Sequence, residues 1–281
     1  MGRPFPIPEA IPLAEQRGQN YSALVALMQR LLEPDGCPWD REQDMPSLRK
    51  YVLEEACEVI DAIDSGDREQ IREELGDLAL QVVFLSELAR KEGSFGPDDV
   101  MRGIVEKLVR RHPHVFSDTT VANSEEVLVN WERTKAEEKK GRGVLEGVAR
   151  SLPALYRAQR MSDRVARVGF DWPDGRGSRD KVSEELRELD EALAGGDPAR
   201  VEAELGDLLF ALVNLARHAK IDAETALRGA CDRFTARFSY VERRVKEEFG
   251  GWPRGEDGKP APGPTLAVLD GFWNEAKRAL P

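Results

Sequence analysis

YVLEEACEVIDAIDSGDREQIREELGDLALQVVF, residues 51–84, and KVSEELRELDEALAGGDPARVEAELGDLLFALVN, residues 181–214, carry one pattern twice. Aligned at Glu55 and Glu185, they set Glu55, Glu58, Glu74 and Asp77 against Glu185, Glu188, Glu204 and Asp207 with no change of spacing. Val52, Ala56, Val59, Ile60 and Ile63 recur at helical intervals before the first turn, and Ile71, Leu75, Leu78, Val82 and Leu85 after it. The turns fall at Ser65-Gly66-Asp67 and Gly195-Gly196-Asp197. Asp67 is placed to cap the second helix, and Asp197-Pro198 is a cap followed by a first-turn proline. Each stretch predicts an antiparallel helical hairpin. With no alternating strand and no Asn-Gly turn, the fold class is all-α.

The repetition extends outward. EKLVRRH (106–112) resembles DRFTARF (232–238), and Trp131 and Lys135 match Trp273 and Lys277. Trp39-Asp40 precedes the first hairpin and Phe170-Asp171-Trp172 the second. The chain therefore reads as a tandem repeat of two helical-bundle domains. Residues 1–20 form an extended, proline-rich lead-in, 21–140 a first domain, 141–165 a charged connector, and 166–281 a second domain. PDGRGSRD (173–180) and the Gly/Pro-rich 251–264 read as surface loops.

A net charge of −11 argues against nucleic acid polymers and anionic membranes as partners, while a small phosphate ligand remains compatible with a bound cation. No apolar run approaches the roughly 20 residues that span a bilayer. Cys37, Cys57 and Cys231 show no framework spacing and read as free thiols of a cytoplasmic protein.

The mirror spacing carries the chemistry. Gly66 is midway between Glu58 and Glu74, and between Glu55 and Asp77; Gly196 stands in the same relation to the second four. Residues equidistant from a hairpin turn lie at one height, and acids three apart share a helix face. Four carboxylates should thus converge twice. Such clusters need a cation, the more so if Asp77 and Asp207 are buried in their apolar stretches. All-oxygen ligands select Mg²⁺ first and Mn²⁺ second. A lone E-x-x-E is ordinarily a solvated face; the repetition is what lifts these above it. Gly76 and Gly206, each beside its aspartate, point either to the site or to close helix packing.

Lys107 and Arg111, matched by Arg233 and Arg237, are candidates to hold phosphate oxygens, against the plainer reading of a surface stripe. Trp131/Lys135 and Trp273/Lys277 could stack a base and hold a phosphate, although tryptophans at helical spacing are commonly core. Trp172 is a weaker candidate of the same kind. Glu54 and Glu184, beside the ligands, are candidate proton acceptors for a hydrolytic water. His112, His114 and His218 read as structural. A di-metal oxidoreductase would want Glu-x-x-His motifs, which neither four-acid set supplies. A non-catalytic nucleotide- or partner-binding module stays open on these residues alone.

The LEEACEVIDAI…EELGDLALQVVF core, CPWDREQ (37–43), RRHPHVF (110–116), SLPALYRAQR (151–160), VGFDW (168–172) and AELGDLLFALVNLARH together resemble the MazG family of nucleoside triphosphate pyrophosphohydrolases. The resemblance covers nearly the whole chain beyond residue 20. It implies hydrolysis of ribo- or deoxyribonucleoside triphosphates to the monophosphate and pyrophosphate, Mg²⁺ dependence, broad base tolerance, nucleotide-pool house-cleaning, and a homodimer of intertwined hairpins. Carried over by position, it implies metal ligation by the eight acids and nucleotide contact by Arg233, Arg237, Trp273 and Lys277.

Overall fold

The computed structural model describes residues 5–117, 121–124, 126–127, 130–131, 134, 138, 141, 143–252 and 263–280. Among these residues there is helix and no strand. The chain divides into two compact units, Met1–Lys140 and Gly141–Pro281.

In the first unit α1 (Tyr21–Leu31) and the short α2 (Pro38–Arg41) lead into a hairpin of α3 (Met45–Ser65) and α4 (Arg68–Lys91), followed by α5 (Pro97–Arg111) and α6 (Pro113–Phe116). Helix α3 starts where it does because Asp44 and Ser47 form a reciprocal capping box, with Ser47 N–H donating to Asp44 at 2.7 Å. It stops at Gly66, whose φ of 74° is open to glycine at little cost. Asp67 then accepts from the Glu69 and Gln70 amides and starts α4. Helices α1 and α5 pack on α4. Met28, Leu32, Leu48, Val83, Phe84 and Leu88 close the core. One carboxylate lies within it: Glu87 is fully buried, accepting from Gln29 Nε2 at 3.0 Å and Arg90 Nε at 2.7 Å. These bonds offset the desolvation of its charge.

The second unit repeats the hairpin as α8 (Gly175–Gly195) and α9 (Pro198–His218), preceded by α7 (Ala154–Ala166) and followed by α10 (Ala223–Phe249) and α11 (Leu266–Ala279). Gly196 turns at φ 71° and Asp197 caps α9, as the first copy leads one to expect. Helix α7 overlaps the stretch read as a connector in all but its last residue and packs on α9 and α10. Its Gln159 accepts from the Ala223 amide at 2.9 Å and donates to Ile221 O at 3.1 Å, fastening it to the start of α10. A core of Val241, Val245 and Phe272 joins α10 to α11.

One expectation needs correction, and the hairpin faces add a feature of their own. Residues 175–180 are helix rather than loop, because Asp174 accepts from the Arg176 amide and Ser178 Oγ bonds back to Gly175 O, so the first turn is capped despite its glycines. The apolar stripe of the hairpins is also wider than the core it meets. Val59 is buried, whereas Ile60, Ile63, Leu75 and Val82 stand 41, 57, 50 and 38% exposed. One side of the stripe packs within the hairpin and the other has no cover among the described residues.

Candidate metal centre

The hairpin brings together what lies nineteen residues apart in sequence, Glu55 on α3 and Glu74 on α4. Carboxylate oxygens of Glu55, Glu58 and Glu74 lie within 4.8 Å of one another, and those of Glu185, Glu188 and Glu204 do the same on α8 and α9. Oxygens on opposite sides of an octahedral Mg²⁺ stand about 4.2 Å apart, so each trio is close to the span that such an ion would fill.

The fourth acid of each set is placed differently from the others. Four carboxylates were expected to converge, but Asp77 and Asp207 fall outside the close trios, and they are exposed rather than buried in their apolar stretches. Their apolar neighbours are themselves half open: Leu75, Leu205 and Phe210 are 50, 46 and 42% exposed. Asp77 is nevertheless near enough to act on the trio. Partial burial, then Asp77, Glu58, Glu54 and Glu74, push the Glu55 carboxyl above its ordinary range. Burial, Glu58, Glu73 and Asp77 do so for Glu74. A compensating cation would relieve both.

The two trios are not electrostatic copies. In the second, Lys181 Nζ stands 2.6 Å from Glu185 and 2.9 Å from Glu184. Arg187 reaches Glu188 at 3.4 Å and Arg200 reaches Glu204 at 3.6 Å. The corresponding positions of the first copy are Tyr51, Cys57 and Gln70, none of them cationic. Glu185 is only 4% exposed, and Lys181 neutralises it in place. Sequence reasoning missed these pairs. Lys181–Glu185 and Arg200–Glu204 were legible as i,i+4 neighbours on a helix.

The proton-acceptor candidates Glu54 and Glu184 are both exposed, each next in sequence to an acid of its trio, and Glu184 is the one bonded by Lys181. Among the basic candidates, Arg111 is bound, together with Arg110, to Glu138. Its guanidinium carbon lies 5.3 Å from the Trp131 ring centre. Lys107 is half-buried on the same helix. Lys135 lies outside the described residues.

In the second unit Arg237 Nε donates to Leu280 O at 3.2 Å, and Lys277 Nζ stands 5.9 Å from the Trp273 ring centre. Arg233 is exposed one turn before Arg237. Trp273 is half-buried against the Val241/Phe272 core, so the plainer reading of it as core holds in part. It also lines a 290 Å³ cleft with Phe234, Phe238, Leu266, Leu269 and Asp270. Trp172 lies over Gly177, where a Cβ would come within 2.1 Å of its Cδ1, and 6.5 Å from the His218 ring.

His218 is engaged within its own unit. With Arg217 it bonds Asp171, whose carboxyl these partners hold below its usual range, Arg217 contributing most. Among the described residues no packing accounts for Gly76 and Gly206, since a Cβ at either meets no atom within 4 Å.

Comparison with known proteins bears on this geometry. The model of the MazG nucleotide pyrophosphohydrolase domain matches twice, over residues 43–116 and 178–241, each match enclosing one acidic trio. A nucleoside triphosphate pyrophosphohydrolase of Escherichia coli K12 is 45% identical over 261 residues, 91% of this chain and 96% of that protein. The nucleoside triphosphate pyrophosphohydrolase/pyrophosphatase MazG of Thermotoga maritima is 40% identical over 265 residues, 94 and 98% of the two chains. A nucleoside triphosphate pyrophosphohydrolase of Mycobacterium tuberculosis is 40% identical over 157 residues, 55% of this chain and 47% of its own.

Proposed function

The chain belongs to the MazG family of nucleotide pyrophosphohydrolases, and we propose that it hydrolyses nucleoside triphosphates to the monophosphate and pyrophosphate at the two acidic trios, with Mg²⁺ held there. The observation that carries this reading is the recurrence, in two hairpins of one chain, of three carboxylates whose oxygens lie within 4.8 Å. Glu55, Glu58 and Glu74, with Asp77 at the rim, would hold one cation; Glu185, Glu188 and Glu204, with Asp207, the other. Bound there, Mg²⁺ offsets phosphate charge and makes a water easier to deprotonate. Mn²⁺ suits the same oxygen donors.

The chain's own groups supply the remaining parts. Glu54 or Glu184 takes the proton of the attacking water. In Glu184 one oxygen is bonded by Lys181, which leaves the other to accept. Arg233, Arg237 and Lys277 donate to phosphate oxygens and steady the charge that develops on the pyrophosphate, with Lys107, Arg111 and Lys135 in the matching places of the first copy. Trp273, Trp131 and Trp172 offer faces for a base. Stacking distinguishes bases weakly, which fits broad base tolerance and a house-cleaning role.

The uncovered apolar faces, Ile63 and Leu75 in the first hairpin and Leu193 and Leu205 in the second, each 46% exposed or more, support a homodimer in which a second copy covers them. No described helix is long and apolar enough to cross a membrane. Cys37, Cys57 and Cys231 are free, which suits the reducing cytoplasm.

The test is to incubate purified protein with each nucleoside triphosphate and Mg²⁺ and resolve the products. Monophosphate with pyrophosphate is expected. Diphosphate with orthophosphate would place the attack on the wrong phosphorus and sink the proposal.

A further inference from the structure

The two copies treat one matched arginine differently. Seven residues after Trp131 stands Glu138, and seven residues after its counterpart Trp273 stands Leu280. In the first unit Arg111 Nε donates to both Glu138 oxygens, at 3.4 and 3.2 Å, and a second nitrogen of the same guanidinium donates again. Arg110 Nε adds a bond at 2.8 Å. The Arg111 side chain is withdrawn to 14% exposure, while Glu138 lies nearer the surface, an exposed residue whose side chain is 23% exposed. Among the described residues of the second unit, the counterpart Arg237 meets a neutral acceptor, the Leu280 carbonyl at 3.2 Å.

A carboxylate gripped by two guanidiniums has the donor–acceptor chemistry of a bound phosphate: planar forks, charged acceptor oxygens, more than one bond per arginine. The two arginines hold the Glu138 carboxyl down at about 2, so it is fully charged at neutral pH. We infer that Glu138 is an internal stand-in for the substrate's polyphosphate, competing for the Arg110–Arg111 pair and so weakening the first copy's hold on nucleotide, while the Leu280 carbonyl offers Arg237 of the second copy no such charged competitor. The inference rests on the reading of Arg111 and Arg237 as phosphate contacts. It makes the copies unequal toward one ligand although their acids are equally complete.

Calorimetric titration of the full chain with α,β-methylene-ATP and Mg²⁺ tests it. The wild type should show one tight class of site, lost in Arg237→Ala. Glu138→Leu, which copies the second unit, should add a second class, tightening first-copy binding by about ten- to a hundredfold, the worth of roughly one or two charge-assisted hydrogen bonds. Glu138→Gln, which keeps the size and lowers the charge, should move the same way by less. Adding Arg111→Ala should abolish the gain. If neither Glu138 variant gains a site while its circular dichroism melt matches the wild type, Glu138 is only a structural clamp and the inference is overturned, with the phosphate reading of Arg237 intact. A gain that survives Arg111→Ala overturns it too. If Arg237→Ala leaves wild-type binding unchanged, the phosphate reading itself has failed.

Discussion

Lys181 Nζ stands 2.6 Å from a Glu185 oxygen, at the position where the first copy sets Tyr51 one helical turn before Glu55. The same four-acid pattern is thus countered by a resident cation in one hairpin and, among the described residues, by none in the other. Lys181 responds in turn, its ammonium held protonated well above the ordinary lysine range by Glu185 and then Glu184.

A divalent ion entering the second trio must displace that lysine, whereas the first trio only loses self-repulsion. Without nucleotide, Mn²⁺ titration followed by electron paramagnetic resonance should find tighter binding in Glu185→Gln, which keeps the first trio whole, than in Glu55→Gln. Lys181→Met should tighten the second site by about three- to tenfold, a figure discounted because the lysine is part exposed. Equal affinities in the two Gln variants would count against the role given to Lys181.

Removing a ligand should separate catalysis from folding. Glu185→Ala is expected to lower kcat/KM for the second copy by at least about a hundredfold, on the order of an essential electrostatic group. The melting temperature should change little, because Lys181 retains Glu184 as a partner. Pyrophosphate release measured for Glu185→Ala, Glu55→Ala and the double variant checks this. Full activity in the double variant would refute the site.

Glu55 gives a pH dependence whose sign is fixed. Its folded pKa is raised above the ordinary value of 4.5, so the folded chain holds its proton longer than the unfolded chain does. The group therefore favours folding most below that value, and the advantage is lost as pH rises through the higher folded pKa. In chelator-treated protein, urea melts of the wild type referenced to Glu55→Gln should show stability declining over that window. Mg²⁺ should raise the melting temperature more at pH 7 than at pH 4.5, since protons and metal compete for the carboxylate. An equal rise at both values would mean the trio is not where the ion binds.

Glycine positions give a paired stability test. At Gly36 a Cβ would lie 2.2 Å from Leu31 O and 2.6 Å from Arg30 O, both backbone atoms that cannot swing aside. Gly36→Ala should cost about 1–3 kcal/mol through the forced shift. At Gly76, mid-helix, a Cβ meets nothing within 4 Å, so Gly76→Ala should gain up to about 1 kcal/mol from helix propensity. Chemical denaturation of the two variants reads both signs. A loss at Gly76 of the same size would mean that another chain or a ligand closes on that helix.

Much of the candidate site was readable because a helical hairpin is a local object. Gly66 and Gly196 each need a left-handed turn, Asp67 and Asp197 each cap the returning helix, and the acids fall at mirrored distances from those turns. The start of α8 was not readable, since two glycines and a proline between 173 and 177 look like a loop until Asp174 is seen capping them.

By itself, then, the sequence determined the helical class, the duplication, the hairpin turns and the acids that face one another across them, since all of these derive from periodicity and from spacing about a turn. Only the tertiary structure decided that Asp77 and Asp207 are open rather than buried, and that Arg111 is claimed by Glu138 while Arg237 is not. Those outcomes depend on which side of an apolar stripe finds a partner and on which distant side chains reach one another. A one-dimensional pattern carries neither quantity.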